Sequence, residues 1–204
     1  MRSLALDTAP SPTGGTTTPP NQHHPEQLYE THFSFVWRNL RRMGVPYDVL
    51  EDATQDVFLT VFQRWDSYDP ARSRVETWLF GILLRVASYY RRTLRRRLAR
   101  IVPWSREGKR EGMVAGPEGP ADLVAKRQAV ELLDRLLADI SPDKRVVLVM
   151  VDIEQCSVPE VARTLGINLN TAYWRLRHGR ACFERALERV RSSERRRIAG
   201  DELP

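Results

Sequence analysis

Apolar side chains recur along most of this chain at steps of three and four residues, the period of an α-helix packed on one face. One run begins at Leu50, and a second extends from Glu76 to about Arg97. Further runs cover residues 123–139 and the stretch from Ser157 to Val190. No segment alternates apolar and polar residues as a half-buried strand does. The pattern therefore predicts an all-α protein.

Proline- and glycine-rich stretches divide these helical runs into two blocks. Residues 1–25 form a low-complexity leader, which we expect to be disordered because it cannot bury enough apolar surface. Residues 26–102 form a first domain, and 103–125 a flexible linker. Residues 126–191 form a second domain, followed by a charged tail over 192–204. The predicted fold is thus two small helical domains joined by a flexible linker.

Composition narrows the setting. The 204 residues include 32 basic and 26 acidic side chains, a net charge of +6, and only two cysteines. So few cysteines predict no disulfide framework and favour a reducing, cytoplasmic environment. Apolar blocks such as Val146–Val151 fall far short of the roughly 18 residues needed to cross a bilayer, so we expect no direct membrane insertion. Nearly all basic residues are arginines, which suit bidentate contacts to phosphates and bases.

The strongest local motif lies in the second block. Ser157 and Glu160 have the spacing of a capping box, in which each side chain bonds the other's backbone N–H. Gly166 follows eight residues of helix and suits a left-handed turn. Asn168 is placed to cap a second, arginine-bearing helix. A short capped helix, a glycine turn and a longer helix predict a helix-turn-helix.

The second helix of such a motif enters the major groove of DNA with its N-terminal turns. At 100° per residue, the face opposite the predicted core carries Asn170, Thr171, Trp174, Arg177, His178 and Arg185. Tyr173, Arg175 and Arg180 lie on its flanks. We expect the residues from Asn170 to His178 to reach base edges, and Arg175, Arg180 and Arg185 to contact phosphates. The alternative is a helical hairpin whose arginines only solvate a surface.

The first block combines two features. The helix around Asp48–Asp56 has an acidic face, which is more typical of docking on a basic protein than of binding DNA. The next helix interleaves aromatic residues with arginines, as exposed single-stranded bases require. In the alternative interpretation, Trp78, Phe80 and Tyr90 fill the core and the arginines are solvated.

Three ordered motifs resemble those of bacterial sigma factors of the extracytoplasmic-function (ECF) type. They are Leu50-Glu-Asp-Ala-Thr-Gln-Asp-Val-Phe-Leu59, then Asp69-Pro-Ala-Arg72 leading into Thr77-Trp-Leu-Phe80, and finally Ser157-Val-Pro-Glu-Val-Ala162 with Asn170-Thr-Ala-Tyr-Trp-Arg-Leu176. The resemblance covers about residues 28–100 and 126–190. It implies a promoter-recognition subunit that binds core RNA polymerase, is not an enzyme, needs no cofactor or metal, and is often held by an anti-sigma factor.

The resemblance also implies roles for individual residues. Polymerase docking falls to Asp52, Gln55, Asp56 and Phe58. Recognition of the melted minus-ten element falls to Tyr68, Arg72, Arg74, Trp78, Arg85, Ser88, Arg91 and Arg92. Minus-thirty-five contacts fall to Tyr173, Trp174, Arg177 and His178, which lie on or beside the face derived above. Trp174 replaces a residue that is usually small in the family, Tyr173 one that is usually basic, and Leu84-Arg85 stands where the family often has Arg-Asn.

Two other functions are compatible with parts of the sequence. A free-standing helix-turn-helix regulator would need no polymerase and would leave the acidic helix without a role. A nucleic-acid-processing enzyme could use Asp48, Asp52 and Asp56 as metal ligands, but no P-loop, nucleophile motif or companion histidine accompanies them. His178 and Cys182 have the spacing of half a metal site, without a second pair of ligands.

Overall fold

A computed structural model describes residues 25–98 and 120–201, all of whose regular structure is helical. Most of the leader, residues 99–119 of the linker region and the last three residues lie outside the described part. The expectation of a disordered leader therefore concerns residues that are almost all outside the described part, as does that of a flexible linker over 103–119, whereas residues 120–125 of the predicted linker are helical.

Three long helices form the first block: α1 (Pro25–Arg42), α2 (Leu50–Arg64) and α3 (Val75–Leu98). All three pack against one another. The predicted apolar faces of α2 and α3 are confirmed at the fully buried residues Leu50, Ala53, Val57, Val61, Leu79 and Leu83. On the same helix Phe58 is buried as well, whereas Phe62 is 41% exposed.

The second block contains α4 (Pro120–Ala138), α5 (Pro142–Leu148), α6 (Val158–Leu165) and α7 (Leu169–Asp201). A π-helical turn, Val149–Ile153, continues directly from α5. Helix α4 begins a few residues before the expected start at 123, at a proline, which is favourable in the first turn of a helix. Helix α7 continues past Val190 to Asp201 and so includes most of the segment predicted as a charged tail.

The two blocks pack against each other. Helix α1 contacts α4, and α3 contacts α6. Their buried apolar side chains form one continuous cluster, from Leu28 in α1 to Leu176 in α7. The sequence predicted two tethered domains without predicting this contact, and the described conformation is closed.

Ion pairs and hydrogen bonds join the two blocks across their interface. Arg42 Nη1 lies 2.7 Å from Glu154 Oε1, and both side chains are only 13% exposed. Asn39 Nδ2 donates to the same carboxylate oxygen at 3.0 Å. Arg41 Nε donates to Asp134 at 2.6 Å nearby. Burial lowers the pKa of Arg42, since desolvation disfavours its charged form, while Glu154 opposes that effect.

A buried arginine also joins the helix ends at this boundary. Arg145 Nη2 donates to the carbonyl oxygens of Ala138 and Ile140, each at 2.9 Å, and Nη1 donates to the Arg42 carbonyl at 3.3 Å. The last carbonyls of a helix lack partners within the helix, so a buried helix end needs such a donor. Arg145 therefore caps the ends of α4 and α1 together.

Replacing Glu154 with alanine should lower the free energy of unfolding by about 3–5 kcal/mol, because it leaves the guanidinium of Arg42 buried without its carboxylate. The measurement is urea denaturation followed by circular dichroism. The matched control is Asp69→Ala, which removes an exposed pair with Arg72 and should cost no more than about 1 kcal/mol. Equal losses for the two variants would contradict the role assigned to the buried pair.

Candidate nucleic-acid interface

The helix-turn-helix is present at the predicted residues. Ser157 Oγ accepts from the backbone N–H of Glu160 at 3.4 Å at the start of α6. Gly166 ends that helix with φ of +63°, the left-handed conformation that glycine adopts without steric cost. Asn168 Oδ1 then accepts from the Asn170 N–H at 2.8 Å at the start of α7. The helix starts at Ser157 and Asn168 and the glycine turn are confirmed.

One half of the expected capping box is absent. The carboxylate of Glu160 does not return to the backbone of Ser157, because it accepts a 2.5 Å hydrogen bond from Thr77 Oγ1 in α3. These two residues are 83 positions apart in the sequence. The local pattern therefore predicted the helix start correctly and the partner of Glu160 wrongly.

Helix α7 presents the expected outer face. Ala172 and Leu176 are buried, whereas Tyr173 and Trp174 are 52% and 50% exposed. Asn170 and Arg177 are also exposed, and Thr171 is half-buried. The N-terminal half of α7 thus offers a polar and aromatic surface of the kind that a major groove accommodates.

The aromatic part of this surface is a stack built from two helices. The rings of Trp174 and His178 lie 4.1 Å apart with an interplanar angle of 30°. His178 Nδ1 is 2.8 Å from the Trp174 carbonyl oxygen. Lys144 Nζ, from α5, lies 5.5 Å from the centre of the Trp174 ring. Lys144 was not among the candidates because no sequence rule brings α5 beside this turn of α7.

The arginines of α7 differ in their freedom to contact DNA. Arg180 forms two hydrogen bonds with Asp152, at 2.9 and 2.6 Å, and this pairing raises the pKa of Arg180. Arg175 lies 3.7 Å from Asp143. Within the described ranges, Arg177 has no acidic partner. Of these three guanidinium groups, Arg177 is the most available to a base.

An aromatic cluster marks the start of α3. Tyr68 stacks on Trp65 with ring centres 5.5 Å apart, and its ring centre is 5.3 Å from that of Trp78. The Tyr68 hydroxyl donates to the Ser73 carbonyl at 3.3 Å across the intervening loop. Tyr68 and Trp78 were predicted for the minus-ten surface, and the structure brings them together. Trp65 was missed because its place at the end of the apolar run of α2 indicated only core packing.

The predicted minus-ten arginines do not share one environment. Arg72 is exposed and pairs with Asp69 at 3.2 Å. Arg74 instead contacts the second block, where its Nη2 lies 3.4 and 3.3 Å from the carbonyl oxygens of Glu154 and Gln155. Among the other predicted minus-ten residues, Arg85 and Arg92 are exposed, and Ser88 and Arg91 are half-buried. An open groove of about 460 Å³ between α2 and α3 has Arg85 and Tyr89 in its wall.

The residues of α2 predicted to dock on polymerase remain accessible, with the exception of Phe58. Asp52 and Gln55 are exposed, and half-buried Asp56 accepts from the Tyr90 hydroxyl at 2.8 Å. Burial is the main cause that raises the pKa of Tyr90, and this hydrogen bond is the second. Phe58 is 2% exposed, with its ring centre 4.7 Å from that of Tyr29. The structure therefore places Phe58 in the core, so it cannot meet a partner directly.

Two further observations concern sites elsewhere. In residues 25–98 and 120–201, no three histidine, cysteine or acidic side chains lie close enough to hold a metal ion together. Over the same residues, no helix has both the length and the apolar character needed to cross a membrane.

Comparison with known families matches both blocks. Residues 28–97 match Sigma-70 region 2, and residues 130–183 match Sigma-70, region 4. The chain is 30% identical over 172 residues to the RNA polymerase sigma factor CnrH of Cupriavidus metallidurans, covering 82% of this chain and 88% of CnrH. It is 28% identical over 155 residues to the ECF RNA polymerase sigma factor SigE of Mycolicibacterium smegmatis, covering 76% of this chain and 58% of SigE.

Solved structures agree at the level of the fold. CnrH in complex with the cytosolic domain of CnrY aligns with a TM-score of 0.58 at 23% identity, covering 83% of this chain and 90% of that one. The sigma factor RpoE of Bartonella quintana, in complex with the anti-sigma factor NepR, aligns with a TM-score of 0.59 at 20% identity, covering 80% and 96%. With both conserved regions present in order and a relative that matches over most of its length, this chain belongs to the ECF-type sigma factors of the sigma-70 family, which associate with RNA polymerase and direct promoter-specific initiation.

Proposed function

We propose that α7 reads the minus-thirty-five element as duplex DNA, while the Tyr68–Arg74 loop and α3 hold the melted minus-ten strand. The observation that carries this proposal is the outer face of α7, where Asn170, Trp174 and Arg177 lie opposite the buried Ala172. The chain contributes binding and positioning and no catalysis, and it works in the cytoplasm with core polymerase and promoter DNA as partners.

The minus-ten role rests on the aromatic cluster of Trp65, Tyr68 and Trp78. An unstacked base needs a π-face, and each stack on an aromatic ring contributes about 1–3 kcal/mol. Extrusion of a base costs a few kcal/mol, which such a platform offsets. Arg85 lies along the adjacent groove, where a guanidinium can follow the backbone of the displaced strand.

The closed conformation cannot engage both promoter elements. Elements about 25 base pairs apart are separated by about 85 Å of duplex. By contrast, Thr77 in α3 is hydrogen-bonded to Glu160 in α6, and the eight residues of α6 span only about 12 Å before the turn into α7. We therefore propose that the two blocks separate when the chain binds polymerase and a promoter.

This separation can be tested with one substitution. Thr77 Oγ1 lies 3.6 Å from Cys156 Sγ, so Thr77→Cys should form a disulfide between the blocks on oxidation. The oxidised protein, mixed with core polymerase, should lose run-off transcription from genomic promoter fragments, and dithiothreitol should restore it. Peptide mapping confirms the pairing, and Thr77→Ser treated with the same oxidant is the control. Full transcription with the disulfide intact would contradict the separation.

The acidic face of α2 is proposed to dock on a basic surface of core polymerase. Asp52→Arg should reduce capture of core polymerase in a pull-down by at least tenfold, because it places a cation opposite that surface. Because the Asp52 side chain is exposed, we expect the variant to fold normally, and circular dichroism checks this. Glu184→Arg, an equal charge reversal at an exposed position of α7, should capture polymerase as well as the unaltered chain. Equal capture by both variants would remove α2 from the docking surface.

Arg177 is proposed to contact a base. Arg177→Ala in the holoenzyme should weaken binding to the preferred minus-thirty-five sequence by about 1–3 kcal/mol and relax the preference at one position. Competition binding over single-base variants of the element measures this. Arg191→Ala is the control, since Arg191 is exposed about 21 Å farther along α7. An equal loss on every sequence would make Arg177 a phosphate contact instead.

The two solved structures similar to this chain are complexes with protein partners, one of which is an anti-sigma factor. We propose that this chain is likewise held by an anti-sigma protein until a signal releases it. A free-standing regulator is the competing function, and run-off transcription separates the two. Binding of duplex DNA by the chain alone, with no initiation from any fragment when core polymerase is added, would favour the regulator.

A further inference from the structure

Trp174 is exposed without a structural reason within the described chain. It lies about 200° around α7 from both Ala172 and Leu176, which are the buried residues nearest to it in sequence. Half of its surface remains in water. The exposed half of this large aromatic ring gains nothing from burial in the described chain, so its position favours a role in binding.

The indole ring is nevertheless held in place. His178 stacks on it at 4.1 Å, and Lys144 Nζ lies 5.5 Å from its centre. The contact between His178 Nδ1 and the Trp174 carbonyl fixes the imidazole in turn. Helix α5 comes this close because Gly179 has no side chain, and an added Cβ there would lie 3.3 Å from the Lys144 carbonyl oxygen. A ring that is already ordered loses little conformational entropy on binding.

The chemical groups exposed in the major groove indicate what such a ring could contact. Base edges in that groove present hydrogen-bond donors and acceptors, together with one apolar group, the C5-methyl of thymine. Trp174 shares its face of α7 with Asn170 and Arg177, the residues placed to reach base edges. We propose that Trp174, supported by His178 and Lys144, contacts a thymine methyl in the minus-thirty-five element and so distinguishes thymine from cytosine. This inference rests on the proposed reading of that element by α7.

Replacing thymine with deoxyuridine tests the contact, since it removes only the methyl group. The probe is a promoter fragment bound by holoenzyme, in which each thymine of the minus-thirty-five element is replaced singly on either strand. At one or two positions we expect a loss of about fourfold in affinity, as expected from about 0.8 kcal/mol for one buried methyl group. Trp174→Ala holoenzyme should bind the thymine and deoxyuridine fragments equally at those positions.

Arg177→Ala is the matched control, because it should bind all fragments more weakly and keep the deoxyuridine penalty. Trp174→Phe, which retains an apolar ring, should keep part of the penalty. Tolerance of deoxyuridine at every position, or an unchanged penalty in Trp174→Ala, would overturn the methyl contact while leaving promoter recognition intact. A holoenzyme without preference for any promoter fragment would instead overturn the proposed reading by α7, and this inference with it.

Discussion

The buried pair between Arg42 and Glu154 is the constraint on which the described conformation depends. Two charges that are each 13% exposed are tolerated only when they satisfy one another, and Asn39 adds a second donor to the same carboxylate. Arg145 bonds the carbonyl of Arg42 and therefore joins the same helix end to the second block. Any movement of one block across the other must first rehydrate these groups, so the interface has one favoured arrangement.

Local chemistry made much of this structure predictable. The caps at Ser157 and Asn168 and the glycine turn depend on neighbours within three residues, and all three are present. Phe58 and Glu160 show where such reasoning ends. Phe58 is buried because α1 supplies Tyr29 beside it, and Glu160 turns away from its own helix because α3 supplies a hydroxyl. Contacts between residues that are tens of positions apart leave no periodic signal in a single sequence. The contact between Lys144 and Trp174 could not be predicted for the same reason.

The number of arginines in the sequence overestimates how many guanidinium groups are available to bind DNA. Arg180 is neutralised by Asp152, Arg175 lies near Asp143, and Arg74 is directed to backbone carbonyls of the other block. A guanidinium that is already paired must exchange one partner for another, so its net contribution to phosphate binding is smaller. We therefore expect selectivity to depend on the side chains of this surface that have no acidic partner in the described part of the chain, among which Arg177 and Trp174 lie about one turn apart on the same face of α7.

The contacts of Arg74 with the second block suggest how the closed conformation opens. Arg74 donates to neutral carbonyl oxygens, whereas a phosphate would add the attraction of an opposite charge and accept two parallel N–H bonds. A ligand shifts a conformational equilibrium only by its differential affinity for the two states. In the proposed open state, promoter DNA would meet that condition at Arg74, because the guanidinium would be free for a phosphate only when the blocks are apart. The proposed docking of polymerase on the exposed face of α2 would add a second preference for the open state where the docked polymerase excludes the second block. The closed packing then sets the free energy that these partners together must exceed.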